Sequence, residues 1–220
     1  MNIQEWIEAG KPWNVILHGD CMDLMKHFND KEIPLCITDP PYGIGMDGQE
    51  ESFKGDVQIR KKHNFKSWDS SIPDKKYFNE LFRVSKNQII WGGNYFIEYL
   101  KPTKAWIFWY KGQQGLNMSD GEMAWSSLEK VTRMIDIHRT HIWKDKPFHP
   151  TQKPVALYRW LLQNYAKPGQ LILDTHSGSG SCAIACFLEH HDFLAIEKDE
   201  DYYKDSVKRL NEVMAQGRLF

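Results

Sequence analysis

Near the end of the chain, Leu171-Ile-Leu-Asp174-Thr-His-Ser-Gly178-Ser-Gly180-Ser-Cys-Ala183 passes from an apolar run through an acidic residue and a glycine turn into a run of small residues. A strand that enters a helix through a tight glycine turn belongs to a mostly parallel sheet wrapped by helices. The glycines let backbone approach a ligand closely and leave the helix N-terminus open to an anionic group. Gly178-x-Gly180-x-x-Ala183 also fits a dinucleotide fingerprint, and Glu197 ends the next apolar run, where a carboxylate can accept from ribose hydroxyls. A helix-starting turn without a ligand is the plainer reading of the same residues. Only 40 of the 220 residues follow Gly180, enough for about one strand and two helices, so the rest of the sheet comes from upstream. A nicotinamide-binding domain starts with this unit; here the order is circularly permuted.

Apolar runs bounded by turn residues alternate with amphipathic stretches along the chain. The patterning predicts strands at Asn14–His18, Leu35–Asp39, Gln88–Gly92, Ala105–Trp109, Ile137–Trp143, Gln170–Asp174 and Phe193–Glu197. It predicts helices at Met22–Phe28, Lys76–Val84, Val155–Tyr165, Ser181–His190 and Tyr202–Met214, the last with Tyr203, Val207, Leu210 and Met214 at helical spacing. Residues 1–220 read as a single α/β domain, doubly wound and mostly parallel. Two segments break the rhythm: a long polar loop at 43–71, and a stretch at about 110–147 that reads as a small insertion.

Those two segments decide how the charge is read. Lys plus Arg is 28 and Asp plus Glu is 29, which excludes a uniformly basic coat for nucleic acid. Yet Lys54, Arg60, Lys61 and Lys62 fall in the first segment, and Arg133, Arg139 and Lys144 in the second, whereas 189–205 is acidic. This is one basic face opposite an acidic one, and those seven residues are the candidates for contact with a nucleic acid. No apolar run reaches membrane-spanning length and the start lacks a signal-peptide core. The four cysteines show no metal-ligand spacing. The expectation is a cytoplasmic enzyme with no metal, monomeric or homodimeric.

A second motif sits upstream. Leu35-Cys-Ile-Thr-Asp39-Pro40-Pro41-Tyr42 is an apolar strand ending in a carboxylate, two prolines and an aromatic ring. Ligands of open α/β sheets lie at the carboxyl ends of strands, which aims Asp39 into the site. Prolines fix the backbone and leave carbonyl acceptors exposed. Such a device suits an exocyclic amine on a planar base: Asp39 and the Pro40 carbonyl accept its two N–H bonds and Tyr42 stacks on the ring. An aromatic amine is a poor nucleophile because its lone pair is delocalised, and acceptors that favour a tetrahedral nitrogen localise that pair. A strand-ending turn with Tyr42 as packing is the alternative.

Together these residues resemble the β-class amino-methyltransferases of DNA. The quoted segments are His18-Gly19-Asp20-Cys21, Asp39-Pro-Pro-Tyr42, His149-Pro-Thr151-Gln-Lys153-Pro154, Asp174-Thr-His-Ser-Gly178-Ser-Gly180-Ser181 and Ile196-Glu197-Lys198-Asp199. The stretch Tyr77 to Phe96 looks like the compact members common in phages and mobile elements. The resemblance implies a seven-stranded sheet with one antiparallel strand, S-adenosylmethionine as cofactor, DNA as partner and a target base turned out of the duplex. It implies that Asp39, Pro40, Pro41 and Tyr42 are catalytic and hold the amine. Asp174, Ser177, Gly178, Gly180 and Ser181 would cradle the cofactor, Glu197 and Lys198 would take its ribose side, and Asp20 and Cys21 would lie beside its adenine. Thr151 and Lys153 would approach its methionine carboxylate. His176, Thr175 and Ser181 depart from the usual Phe, Pro and Thr. An Asp at position 39 is typical of adenine-N6 enzymes, with cytosine-N4 the alternative target; RNA as substrate, a nicotinamide oxidoreductase and a non-catalytic DNA-binding module are further alternatives.

Overall fold

The computed structural model describes residues 1–48, 52–54, 57–60, 65–115, 119–138 and 147–217, with 52–54 and 57–60 as backbone. The N-terminal elements are α1 (Ile3–Glu8), β1 (Val15–His18), α2 (Cys21–Met25), β2 (Ile33–Thr38), β3 (Ser52–Lys54), β4 (Val57–Arg60) and α3 (Lys75–Val84). Then come β5 (Ser85–Trp91), a 3-10 turn (Gly93–Tyr95), β6 (Ile107–Tyr110), β7 (Gly121–Ser126) and β8 (Arg133–Asp136). The C-terminal elements are α4 (Val155–Tyr165), β9 (Ile172–Asp174), α5 (Ser181–Leu188), β10 (Phe193–Glu197) and α6 (Glu200–Gly217).

Eight strands make one sheet in the order β1-β10-β9-β2-β5-β7-β6-β8. Only β7 runs against its neighbours, β5 and β6. The fold is thus the mostly parallel α/β sheet expected, with its one antiparallel strand, but with eight strands among the described residues instead of seven. Two apolar cores flank the sheet. On one face α4, α5 and α6 pack on Leu35, Ile37, Ile89 and Ile172; on the other α1, α2 and α3 pack on Leu17, Cys36, Ile90 and Leu173.

The expectations failed where local sequence is weakest. Gly121-Glu-Met-Ala-Trp-Ser lacks β-branched residues and was not expected as a strand, yet ladders on both sides hold it in the sheet. A strand that was not expected, Arg133–Asp136, is registered Ile107↔Arg133 to Tyr110↔Asp136 against β6; of the strand predicted at Ile137–Trp143, Ile137 and His138 lie outside any strand. Residues 139–143 lie outside the described residues. The stretch at 110–147 is therefore not an insertion throughout, because two of its segments are strands of the main sheet. Likewise 43–71 contains the antiparallel hairpin β3–β4. Helix α1 was missed for its shortness; Asn2 and Glu5 close a reciprocal capping box at its start. Among the described residues no helix is long and apolar enough to cross a membrane.

One topological fact positions the site. From β9 the chain passes through α5 to β10 on one side, and from β2 through α3 to β5 on the other, with α5 and α3 on opposite faces. β9 and β2 are neighbours, paired Leu35↔Ile172 and Cys36↔Leu173. Their carboxyl ends flank the crevice where open α/β sheets bind ligands.

Candidate active site

A cavity of about 700 Å³ opens at the ends of β1, β10, β9 and β2, a size usual for cofactor sites. Asp20, Cys21, Asp39, Pro41, Thr151, Lys153, Ser177, Gly178, Ser181, Glu197 and Lys198 all line it. Residues separated by most of the chain thus meet at one place.

The glycine turn between β9 and α5 forms the floor. Gly178 has φ +50°, left-handed backbone that favours glycine, and a Cβ there would point at the His149 ring 3.6 Å away. Its N–H donates to Glu197 Oε2 at 2.7 Å, while Asp199 N–H donates to Oε1 at 2.8 Å. Two backbone donors so fix the carboxylate at the end of β10. Ser177 Oγ is buried with no hydrogen-bond partner, a polar group left for a ligand to satisfy. Ser181 is engaged elsewhere, its hydroxyl shared with Ser179 and Arg209. Gly180 abuts Ser206 of α6 and serves helix packing. Asp174 is buried behind the wall, accepting from His176 N–H at 3.1 Å, and burial pushes its carboxyl up to about 8. At the ends of β1 and β10, Asp20 caps α2 through Met22 N–H and pairs with Lys198 at 2.9 Å. Burial pushes the Cys21 thiol up to about 12, so it stays protonated.

His176 joins a hydroxyl network. Its Nδ1 lies 3.1 Å from Thr175 Oγ1, which lies 2.7 Å from Thr38 Oγ1 and 2.8 Å from the Tyr77 hydroxyl. Burial lowers the imidazole to about 4, so it is neutral near pH 7. Segment 66–71, which sequence reasoning treated as loop, walls the cavity. Lys66 bonds Asp199 and Asp201 at 2.7 Å each. Asp69 accepts from Gly43 and Met46 N–H at 2.8 Å each, tying this wall to the turn after Tyr42. His149 packs between Tyr202 and Trp68, with ring centroids 4.3 and 5.3 Å away.

The other side of the cavity is built from charge. The Tyr42 hydroxyl donates to Asp39 Oδ1 at 2.6 Å, and Lys153 Nζ lies 2.5 Å from Asp39 Oδ2. Pro40 is buried beneath them. The Tyr42 ring stacks on Tyr95 at 5.0 Å and lies against Gly92, whose φ is +69°. A Cβ on Gly92 would stand 2.1 Å from that ring. Lys153 also pairs with Glu122 on β7 at 2.9 Å, a carboxylate that the sequence reading did not single out. Lys153, expected to approach a cofactor carboxylate, lines the cavity and has its ammonium on Asp39 and Glu122.

The residues proposed for DNA contact divide. Lys54 and Arg60 lie on the hairpin strands β3 and β4. Arg133 starts β8, at the end of the sheet opposite the cavity, so the fold does not bring it to the site. Lys61, Lys62, Arg139 and Lys144 lie outside the described residues.

This geometry, a cavity at the switch point with the Asp39–Tyr42 tetrapeptide on one strand end and a glycine turn on the next, is a ligand site of the doubly wound α/β class. The comparisons make the class specific. Residues 75–208 match the N6_N4_Mtase family model, described as DNA methylase, and the chain belongs to that family of DNA methyltransferases. The match excludes Asp39–Tyr42, so the tetrapeptide is independent support. The chain is 25% identical to the Type II methyltransferase M2.MboI of Moraxella bovis, covering 97% of this chain and 93% of that protein. It is 22% identical to the DNA adenine methyltransferase YhdJ of Escherichia coli K12, covering 92% and 84%. Its fold is that of the M1.HpyAVI–SAM complex (TM-score 0.60, 20% identity, 89% of this chain and 98% of that one) and of the cytosine-N4-specific PvuII DNA methyltransferase (TM-score 0.60, 14% identity, 91% and 89%).

Proposed function

We propose that this protein methylates the N6 amine of adenine in DNA, with S-adenosylmethionine as donor. The observation that carries the reading is the placement of Asp39-Pro-Pro-Tyr42 and the Asp174–Gly180 turn at the ends of neighbouring strands, across one cavity. The floor fits the donor: an unpartnered Ser177 hydroxyl, a glycine with no side chain at the wall, and a fixed Glu197 carboxylate suited to a diol. When bound, S-adenosylmethionine supplies an electrophilic methyl group. Asp39 and the Pro40 carbonyl accept the two N–H bonds of the amine and direct its lone pair toward that methyl. The nitrogen sheds one proton once methylated, and Asp39 is the carboxylate placed to receive it. Asp39 in the tetrapeptide and similarity to YhdJ, named an adenine methyltransferase, support adenine over cytosine.

The base must leave the duplex to reach such a pocket, at a cost of a few kcal/mol. Hairpin β3–β4, with Lys54 and Arg60, and the segments flanking β7 and β8 are the elements we assign to the DNA side. The whole chain acts as one methyltransferase unit. The test is digestion of methylated product DNA to nucleosides followed by mass spectrometry. The expected product is N6-methyladenine; N4-methylcytosine, or no methylated nucleoside, overturns the reading.

A further inference from the structure

Four charged groups alternate in sign from Lys111 to Asp39 at the cavity wall. Lys111, just after β6, donates to Glu122 Oε1; Glu122 Oε2 lies 2.9 Å from Lys153 Nζ; and Lys153 Nζ lies 2.5 Å from Asp39 Oδ2. The Lys153 ammonium also donates to the Tyr42 hydroxyl at 3.1 Å. An ammonium has three N–H bonds, and Asp39, Glu122 and Tyr42 account for all three. The Lys153 side chain is 3% exposed and sits 5.4 Å from the ring centroids of both Tyr42 and Trp91. It is thus a desolvated cation committed to this cluster, with no donor left for a cofactor carboxylate.

Burying one ammonium between two carboxylates is costly unless the arrangement serves a purpose, since a well-packed apolar cluster is often as stable. Resting on the proposed function, we infer that Lys153 and Glu122 are positioning residues for methyl transfer: Lys153 holds the Asp39 carboxylate ionised and aimed at the target amine, and Glu122 holds Lys153. The reasoning follows from charge. Asp39 must accept from the amine, and a protonated carboxyl would present a donor instead. Burial pushes Asp39 toward protonation and Lys153 opposes it. One ammonium would, however, cancel the charge of Asp39 where the amine becomes positive as its bond to carbon forms. A second carboxylate on the same ammonium leaves the three inner groups, Asp39, Lys153 and Glu122, net negative, and the fourth, Lys111 on the far side of Glu122, brings the whole row to neutral. Lys111 holds Glu122 from that far side, and the two lysines keep that carboxyl low, at about 2, against the effect of burial.

The groups that face Asp39 are Tyr42 on its own turn, Lys153 before α4, Tyr158 on α4, Asp174 on β9, and Glu122 on β7 with Lys111 behind it. Burial raises Tyr42 and Tyr158 well above the ordinary phenol range and Asp174 to about 8. Asp174 stands behind the same wall, so the limb that Asp39 carries is recognised by its opposite responses to loss of Lys153 and loss of Glu122, since Lys153 lowers that carboxyl and Glu122 raises it.

The experiment compares kcat/KM against pH for DNA methylation in wild type, Lys153→Met, Lys153→Arg and Glu122→Gln, with S-adenosylmethionine affinity measured on each by calorimetry. Lys153→Met is expected to lower kcat about 100-fold and move the acid limb to higher pH, with partial rescue in Lys153→Arg. Glu122→Gln is expected to lower kcat about 10-fold and move the limb the opposite way, to lower pH, because it removes a negative charge near Asp39. Cofactor affinity should stay within about threefold in all of them. Limbs that do not move, that move the same way, or cofactor affinity that falls in step with the rate overturn the inference. If Lys153→Met does not fold, the Glu122→Gln limb decides. If wild type shows no methyl transfer, the proposed function fails, and carboxyl ¹³C titration of Asp39 in the free protein still tests the inference by the same opposite shifts.

Discussion

The two sides of the cavity are built by different means. The side we assign to the cofactor comes from two short segments, Asp174 to Gly180 and Glu197 to Asp199, and is built from backbone N–H groups that fix one carboxylate, neutral hydroxyls and a neutral imidazole. The amine side draws on positions 39, 42, 111, 122 and 153 and works through alternating charge. A locally built site needs only a turn with the right backbone, so it is written as a short motif. A charge chain needs the sheet to be assembled first, so no window of sequence contains it.

The contrast can be broken from the amine side first. Gly92→Ala places a methyl 2.1 Å from the Tyr42 ring on backbone with φ +69°. Overpacking and the left-handed conformation together should cost about 2–4 kcal/mol of unfolding free energy, read from urea denaturation. Because Tyr42 must move, methyl transfer should fall further than the stability loss explains. Stability within 0.5 kcal/mol of wild type, by the usual scale of a neutral surface change, would show that the ring is not pinned there.

A smaller effect sharpens the cofactor side. Asp174 is held at about 8 by burial against an ordinary 3.8. Between those values the folded state keeps a proton that the unfolded state has lost, so this group's contribution to stability falls as pH rises and levels off above about 8. Asp174→Asn removes that loss. Its melting temperature should exceed that of wild type by several degrees at pH 8 and converge with it near pH 4. A difference that is the same at both pH values would place the carboxyl in a solvated setting.

How much was legible follows the same division. The strands of the parallel sheet, helix α4 to the residue, and the meeting of the tetrapeptide with the glycine turn could be read from apolar runs, turn residues and motif order. Strand β7 could not, because Gly121, Glu122 and Met123 have no strand signature and are held by ladders on both sides. With β7 hidden, Glu122 was invisible, and so was its ion pair with Lys153. Strand β8 was hidden for a related reason: Arg133-Met-Ile-Asp136 has one β-branched residue and is placed by its ladder to β6, which puts Arg133 at the end of the sheet away from the cavity.

The separation of the two sides is tested most directly by one paired measurement on Asp39→Ala: calorimetric affinity for S-adenosylmethionine alongside radiolabelled methyl transfer to DNA. Affinity within about twofold of wild type, with transfer lowered about a thousandfold as for loss of a main electrostatic stabiliser, is the predicted result. Unchanged transfer, or a loss of cofactor affinity as large as the loss of rate, would contradict it.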